Sequence, residues 1–199
     1  HGQADALALV LFLGGKEFLI DPGTYAYHTE RKWRDYFKGT SAHNTLRIDR
    51  VDQSMSGGNF LWLKHAQAYC EEFTEAKEFD VFEGRHDGYE RLKDPVTHWR
   101  KITCHKPEDR ITVLDRLLCQ QHHFVELFWH FSESCTVNIE ERAVIAVNGD
   151  VRLEMTMPET TWQPSLYCGD ENLPLGWISR SFDRKEPSPT VVWVGEIHR

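Results

Sequence analysis

The sequence predicts an all-β protein, an antiparallel β-sandwich of about a dozen short strands with one short helix near residues 30–38. First, runs of β-branched and aromatic residues, many of them alternating with polar ones, recur roughly every 8–15 residues. Second, short connections rich in Gly, Pro, Asn and Asp separate these runs. Third, only one segment shows helical periodicity. We expect a single domain across residues 1–199.

The chain opens with a predicted hairpin. Residues 6–13 and 17–20 are apolar and flank Gly14-Gly15, a dipeptide that favours a two-residue turn. The first run is apolar on both faces, which is typical of a strand buried between two layers. A straight ladder places Asp21 opposite Ala8, so Gln3 lies about 16 Å further along. A bend before Asp5, or a different register, is needed to bring the start of the chain to Asp21.

The remaining elements follow in order. In residues 30–38, Trp33, Tyr36 and Phe37 share one helical face. The stretch 169–189 is polar and predicts a long loop or a ragged strand pair, and residues 147–150 predict a tight hairpin. Strands are predicted at 43–48, 60–70, 78–84, 97–105, 110–117, 123–131, 135–140, 142–147, 150–157, 160–167 and 190–197.

Composition excludes several classes of function. The net charge of −8 argues against nucleic acid as a partner. No apolar run reaches the roughly 18 residues of a membrane span. Five cysteines without a CxxC pair argue for structural thiols and against a thiolate zinc site. Residues 31–50 are locally basic, which indicates either a solvated surface or a patch that attracts an anionic ligand.

Three residues at the ends of strand-like segments carry candidate chemistry: His1, Asp21 and His43. Such a set suits either a metal site or a proton-transfer site, and the residue types alone do not choose between them. Asp21 could instead begin a turn, and His43 could bond backbone. Most other histidines lie in aromatic-rich strands and favour a core or edge role. His122 and His123 are adjacent strand residues, so they should point to opposite faces.

The spacing of these residues resembles a known family. The motifs are His1-x-x-Ala4-Asp5-Ala6-Leu7, Gly14-Gly15, Asp21-Pro22-Gly23-Thr24-Tyr25 and Ala42-His43-Asn44-Thr45. Together they resemble the C-terminal β-sandwich domain of the heparinase II/III-like polysaccharide lyases. The strong match covers residues 1 to about 65.

The resemblance implies roles for particular residues. His1 corresponds to the first histidine of a His-x-His motif that faces the substrate cleft and takes part in catalysis. Asp21 and His43 correspond to ligands of a divalent metal, zinc in some members. Gln3 stands where the family has the second histidine, and a carboxamide oxygen binds zinc more weakly than imidazole.

Further expectations follow from the resemblance and the basic stretch. We assign Arg34, Trp33 and Asn44 as candidate substrate-binding residues, since they lie in or beside that stretch. The implied reaction is β-elimination on an acidic, uronate-containing polysaccharide. The implied partner is an N-terminal α/α toroid domain of the same protein, without which the 199 residues should be inactive. A periplasmic or secreted location is implied as well.

Two alternatives remain open from the sequence. One is a non-catalytic carbohydrate-binding module, or a module that packs between domains. The other is a cupin-like metal oxygenase, which the ligand spacing and Gln3 fit less well.

Overall fold

A computed structural model describes residues 2–28, 30–157 and 161–197, and these ranges contain seventeen strands and one α-helix. Strands account for 54% of the structure and helices for 7%, so the all-β prediction is confirmed. The architecture is that of an antiparallel β-sandwich. Within the described ranges, no helix has the length and apolar character needed to cross a membrane.

The elements have the following bounds. The helix α1 is Arg31–Lys38, and short 3-10 turns occupy Thr40–Ala42 and Lys106–Glu108. The strands are β1 Leu11–Leu13, β2 Lys16–Leu19, β3 Leu46–Ile48, β4 Met55–Ser56, β5 Trp62–Lys64, β6 Ala68–Glu75, β7 Phe79–Tyr89, β8 Val96–His105, β9 Arg110–Leu118, β10 His123–His130, β11 Thr136–Glu140, β12 Ala143–Asn148, β13 Val151–Thr156, β14 Gln163–Tyr167, β15 Trp177–Ser181, β16 Arg184–Pro187 and β17 Thr190–Ile197.

Two four-stranded sheets dominate the fold. One has the order β14-β17-β10-β3 and the other β6-β7-β8-β9. A three-stranded sheet, β11-β12-β13, and three hairpins complete it. The main core gathers Phe18, Trp129, Phe131 and Trp193, against which Val113 of β9 packs. β10 is buried along most of its length, because layers cover both of its faces.

The opening hairpin is confirmed, with shorter strands than predicted. Leu13 pairs with Lys16, so the turn has two residues. β1 begins only at Leu11, because the preceding residues form a turn in which Ala8 N donates to Asp5 O at 2.9 Å. Leu7 adopts a φ of 61° in this turn. The bend therefore lies at residues 5–8 rather than before Asp5. The register shifts as well, because Leu11 pairs with Leu19, whereas a straight ladder would pair it with Phe18.

The helix and the later hairpins also match the prediction. Trp33, Tyr36 and Phe37 are buried, and the Trp33 ring meets Trp177 of β15 at a centroid distance of 5.2 Å. The polar stretch 169–189 contains the strand pair β15 and β16. Asn148 pairs with Val151 at the predicted tight turn.

Candidate metal-binding site

Asp21 and His43 lie in contact. The Nδ1 atom of His43 is 3.2 Å from Oδ2 of Asp21. Asp21 follows β2, and His43 follows the 3-10 turn Thr40–Ala42, with His43 N donating to Thr40 O at 3.1 Å. The structure thus brings together two of the three residues that the sequence singled out, although 22 positions separate them.

The imidazole of His43 is a buried polar group without hydrogen bonds. Its exposed fraction is 1%, and within the described part of the chain neither ring nitrogen has a hydrogen-bond partner. Its contact to Asp21 is a charge pair at 3.2 Å. Buried polar atoms normally find partners, and an exception requires an explanation. A divalent metal bound by His43 and Asp21 would satisfy the ring, so these residues fit such an ion.

Asp21 is held in its ionised form. Partial burial raises the pKa of Asp21, but its interaction with His43 and the hydrogen bond from Gly23 N outweigh burial, so the pKa lies below its ordinary value. Gly23 N donates to Asp21 Oδ1 at 2.9 Å. Asp21 therefore begins a turn, as the alternative interpretation expected, and keeps Oδ2 directed to His43 at the same time.

Gln3 lies beside this turn. Its Nε2 donates to the carbonyl oxygens of Gly23 and Phe37, each at 2.9 Å. Two carbonyl acceptors identify this atom as the amide nitrogen, which leaves Oε1 as the atom of Gln3 able to bind a metal. The start of the chain is further fixed by Ala4 N, which donates to Lys38 O at 3.0 Å. The metal-ligand role of Gln3 stays a prediction.

His1, the predicted catalytic residue, lies outside the described residues. Its neighbour Gly2 is described. The carbonyl oxygen of Gly2 accepts a hydrogen bond from Trp62 Nε1 at 3.2 Å. An added Cβ on Gly2 would lie 3.1 Å from Nε2 of His65. Trp62 and His65 therefore border the chain immediately after His1.

A second buried histidine lies close to the pair. His130 Nε2 donates to Ser41 O at 3.0 Å, which leaves Nδ1 to accept from the Thr190 hydroxyl at 2.9 Å. Burial, with the nearby charge of His43, lowers the pKa of His130 to about 3. His130 is thus neutral and fully hydrogen-bonded, which confirms its predicted structural role.

Asn44 is buried and holds three segments together. Its Nδ2 donates to Leu9 O at 2.7 Å and to Ile20 O at 3.0 Å, and its Oδ1 accepts from His130 N at 2.6 Å. Its exposed fraction is 1%. These contacts use the whole amide for the scaffold around His43. The substrate-binding role stays a prediction that this burial does not favour.

The cations of the basic stretch divide into two groups: Arg31, Lys32 and Arg50 are exposed, as expected for a solvated surface, whereas Arg34 and Lys38 are buried. Arg34 and Lys38 are each 2% exposed. Arg34 donates to Asn59 O at 2.8 Å, and Lys38 donates to Gly58 O at 2.7 Å and lies over the Trp62 ring. These two cations hold the segment between β4 and β5 against the helix, so they do not contribute to an open basic patch that could attract an anionic ligand.

Trp33, the third candidate for substrate binding, is packed inside. It is 5% exposed and lies under the Lys185 ammonium, 3.8 Å from its ring centroid. As for Arg34, the substrate-binding role of Trp33 stays a prediction without support from exposure.

Arg100 and Asp115 are site-supporting residues that the sequence reasoning missed. Arg100 Nη1 donates to Leu7 O and to Asn44 O, and the guanidinium pairs with both carboxylate oxygens of Asp115. Alternation along β8 puts Arg100 on the same face as the buried His98. That alternation was the available signal for an inward-facing charge.

These features define a β-sandwich domain with a carboxylate–imidazole pair at the ends of its first hairpin and its 3-10 turn. A family model described as Heparinase II/III-like, C-terminal, matches residues 1–196. The chain therefore belongs to the Heparinase II/III-like, C-terminal family.

Solved structures share the fold. Heparan sulfate lyase HepC from Pedobacter heparinus superposes with a TM-score of 0.75 at 18% identity, over 98% of this chain and 28% of that one. A heparinase III superposes with a TM-score of 0.75 at 13% identity, over 97% of this chain and 28% of that one. The chain thus spans 28% of the length of each. No curated protein matches the sequence.

Proposed function

We propose that this chain is the C-terminal domain of a lyase that cleaves an acidic, uronate-containing polysaccharide by β-elimination. Family membership supports the class of enzyme. The observation that carries the proposal for this chain is the contact between Asp21 and the buried, otherwise unpartnered ring of His43. The heparan sulfate lyase that shares the fold makes a glycosaminoglycan the first substrate to test.

The reaction requires three things of the protein. A base removes the proton α to the uronate carboxylate, and an acid protonates the leaving 4-oxygen as the glycosidic bond breaks. The carboxylate must also be neutralised or hydrogen-bonded while negative charge builds up. We propose that His1 supplies proton transfer or charge stabilisation, and that an N-terminal α/α toroid domain supplies the remaining groups. On this proposal the 199 residues alone are inactive.

Asp21, His43 and Oε1 of Gln3 would hold a divalent metal, with zinc as the first candidate. The ion would crosslink the turn after β2 to the segment after α1, where the start of the chain is also attached through Gln3. Its role would be structural, because it would fix the loops to which Gln3, near the start of the chain, is attached. The amide of Gln3 makes this site weaker than one whose third ligand is an imidazole or a carboxylate.

The test is a variant pair in the full-length protein. His1→Ala is expected to lower turnover on heparan sulfate about 10²–10⁴-fold, followed by the ultraviolet absorbance of unsaturated uronate. Polysaccharide binding, measured by calorimetry, should persist. His122→Ala is the matched control. His122 is exposed and pairs with Glu196 at the end of β10 opposite to His130.

Each result has a defined meaning. Loss of turnover with retained binding supports the enzyme. Unchanged turnover in His1→Ala would overturn the catalytic role and favour a carbohydrate-binding or interdomain packing module. Strong uronate absorbance from the isolated 199 residues would overturn the requirement for a second domain.

A further inference from the structure

A second cluster of metal-binding side chains lies far from Asp21 and His43. Among the described residues, single ligand atoms of Asp94, Cys119 and His123 all lie within 4.8 Å of one another. His123 begins β10, whereas His130, next to His43, ends it. Seven residue steps along a strand span about 23 Å, so the two clusters are separate.

The ring of His123 is oriented by two carboxylates. Its Nδ1 lies 2.7 Å from Asp49 Oδ2, and its Nε2 lies 2.9 Å from Asp94 Oδ2. A carboxylate that accepts from one ring nitrogen while the other nitrogen binds the metal is the usual partner of a metal-bound histidine. Asp49 holds this position.

Asp94 is a fixed, buried carboxylate. It is 8% exposed, and its Oδ2 accepts hydrogen bonds from the backbone nitrogens of Gln120 and Gln121 at 2.9 and 2.8 Å. These bonds attach the loop before β8 to the turn between β9 and β10. The same turn carries Cys119 at its start and His123 at its end.

Cys119 gives the cluster a route to solvent. It is a free, partly buried thiol that lines a cavity of about 610 Å³ between the sheets. Glu196 lines the same cavity. An ion can therefore approach the sulfur through this cavity.

We infer that Asp94, Cys119 and His123 form a second metal site, suited to zinc, with Asp49 as the residue that orients His123. Nitrogen, oxygen and sulfur ligands together fit zinc, while the sulfur disfavours magnesium and calcium. Binding releases the protons of the thiol and of Nε2. The fourth position of a tetrahedral ion is left for water.

The geometry needs only a small adjustment. Zinc bonds of about 2.0–2.3 Å at tetrahedral angles place ligand atoms about 3.3–3.8 Å apart. The outermost separation in the cluster is at most 4.8 Å, so closure requires a movement of about 1 Å. The partly buried thiol of Cys119, which forms no disulfide, is the group able to make this movement.

The test uses Co²⁺ as a spectroscopic substitute for zinc. Full-length protein, reduced and stripped by a chelator, is titrated with Co²⁺ and followed for the thiolate-to-cobalt charge-transfer band. We expect the band in the wild type and its loss in Cys119→Ser. Cys168→Ser, which removes an exposed thiol elsewhere, is the matched control and should keep it.

Two further variants separate this site from the proposed Asp21–His43 site. His43→Ala should leave the thiolate band unchanged. Asp49→Asn should keep the band but weaken Co²⁺ binding about 10–100-fold, because it removes the carboxylate that orients His123. A band that is absent from the wild type, or that persists in Cys119→Ser, would overturn the inference.

A further measurement uses the wild type alone, so its result does not depend on whether the variants fold. Zinc should slow alkylation of Cys119 by iodoacetamide, measured by mass spectrometry, at least about tenfold, while Cys168 should react at the same rate with and without the metal. Equal alkylation of Cys119 in both conditions would overturn the site.

Discussion

Arg100 donates a hydrogen bond from Nη1 to the backbone carbonyl of Asn44 at 2.6 Å, directly after the proposed metal ligand His43. The same nitrogen donates to Leu7 O at 2.9 Å, in the turn that bends the start of the chain. One buried cation therefore connects both halves of the candidate site. Its charge is balanced by Asp115, which pairs with it through two oxygens at 2.8 and 2.9 Å.

Asp115 also ends a chain of buried histidines. Gly88 N donates to His86 Nδ1, so the proton of His86 is on Nε2 and is donated to His98 Nδ1 at 3.0 Å. His98 then donates from Nε2 to Asp115 at 2.6 Å. Burial lowers the pKa of both histidines, although the carboxylate opposes this at His98. Asp115 thus accepts hydrogen bonds from two side chains, those of Arg100 and His98.

The first prediction concerns Asp115. Asp115→Asn should lower the free energy of unfolding by about 3–5 kcal/mol, because it leaves the buried Arg100 without a counter-charge. Urea unfolding measures the change. Glu108→Gln is the control, since Glu108 pairs with Arg110 on the surface and should change stability by less than about 1 kcal/mol. Equal effects of the two variants would contradict this account.

The second prediction concerns acid and His130. The folded pKa of about 3 lies below the unfolded value of 6.5, so the unfolded state binds the extra proton between these pH values. Stability contributed by neutral His130 is present above pH 6.5 and decreases as pH falls toward 3. His130 alone should contribute a slope that approaches about 1.4 kcal/mol per pH unit below pH 6, in addition to the contributions of His86 and His98.

The measurement is urea unfolding at several pH values between about 4.5 and 6.5, above the range in which most carboxylates titrate. His130→Gln should show a shallower slope than the wild type. An identical slope would mean that His130 is not the group that titrates.

The third prediction concerns Gln3. Gln3→His places an imidazole where the carboxamide stands, and zinc binding at the Asp21–His43 site should tighten tenfold or more, about 1.4 kcal/mol. Competition with a chromophoric chelator measures the affinity. The experiment is run in a Cys119→Ser background, so that the second proposed site does not contribute.

Gln67→His is the matched control, because it makes the same substitution at an exposed position outside the proposed ligand set. Unchanged zinc affinity in Gln3→His, or an equal gain in Gln67→His, would count against Asp21 and His43 as a shared site with residue 3.

The fourth prediction concerns the turn that carries Asp21. Gly23 has a φ of 83°, and a Cβ there would overlap the carbonyl oxygen of Ser179. Gly23→Ala should therefore destabilise the fold more than Gly15→Ala, whose φ is 77° but whose Cβ meets nothing within 4 Å. The control should cost about 1 kcal/mol, and thermal unfolding compares the two. Equal losses would show that the Ser179 contact relaxes freely.

The sequence predicts well those features that depend on local pattern. Gly14-Gly15, the helical face of Trp33 and the turn at Asn148 follow from side-chain periodicity and turn chemistry, and the structure agrees. The opposite directions of His122 and His123 also follow from alternation, and one pairs with Glu196 while the other pairs with Asp94.

The remaining features depend on tertiary contacts. A positive φ at Leu7 is not encoded by a leucine, and the surrounding contacts hold it there. Arg34 and Lys38 are buried although their side chains are charged. Their burial is possible because backbone carbonyls of a later segment accept their hydrogen bonds. Asp94 lies on a different loop from Cys119 and His123, and no CxxC pattern is present, so the sequence does not indicate that these three residues form a cluster.

The side chain of Asn44 has a consequence for which sequences can adopt this fold. It offers hydrogens to two carbonyls and an oxygen to an amide nitrogen, a combination that requires a neutral carboxamide. Deamidation to aspartate would set a negative oxygen against the carbonyls of Leu9 and Ile20. Deamidation of this one side chain would thereby weaken the attachment of the first hairpin to the strand that carries His130.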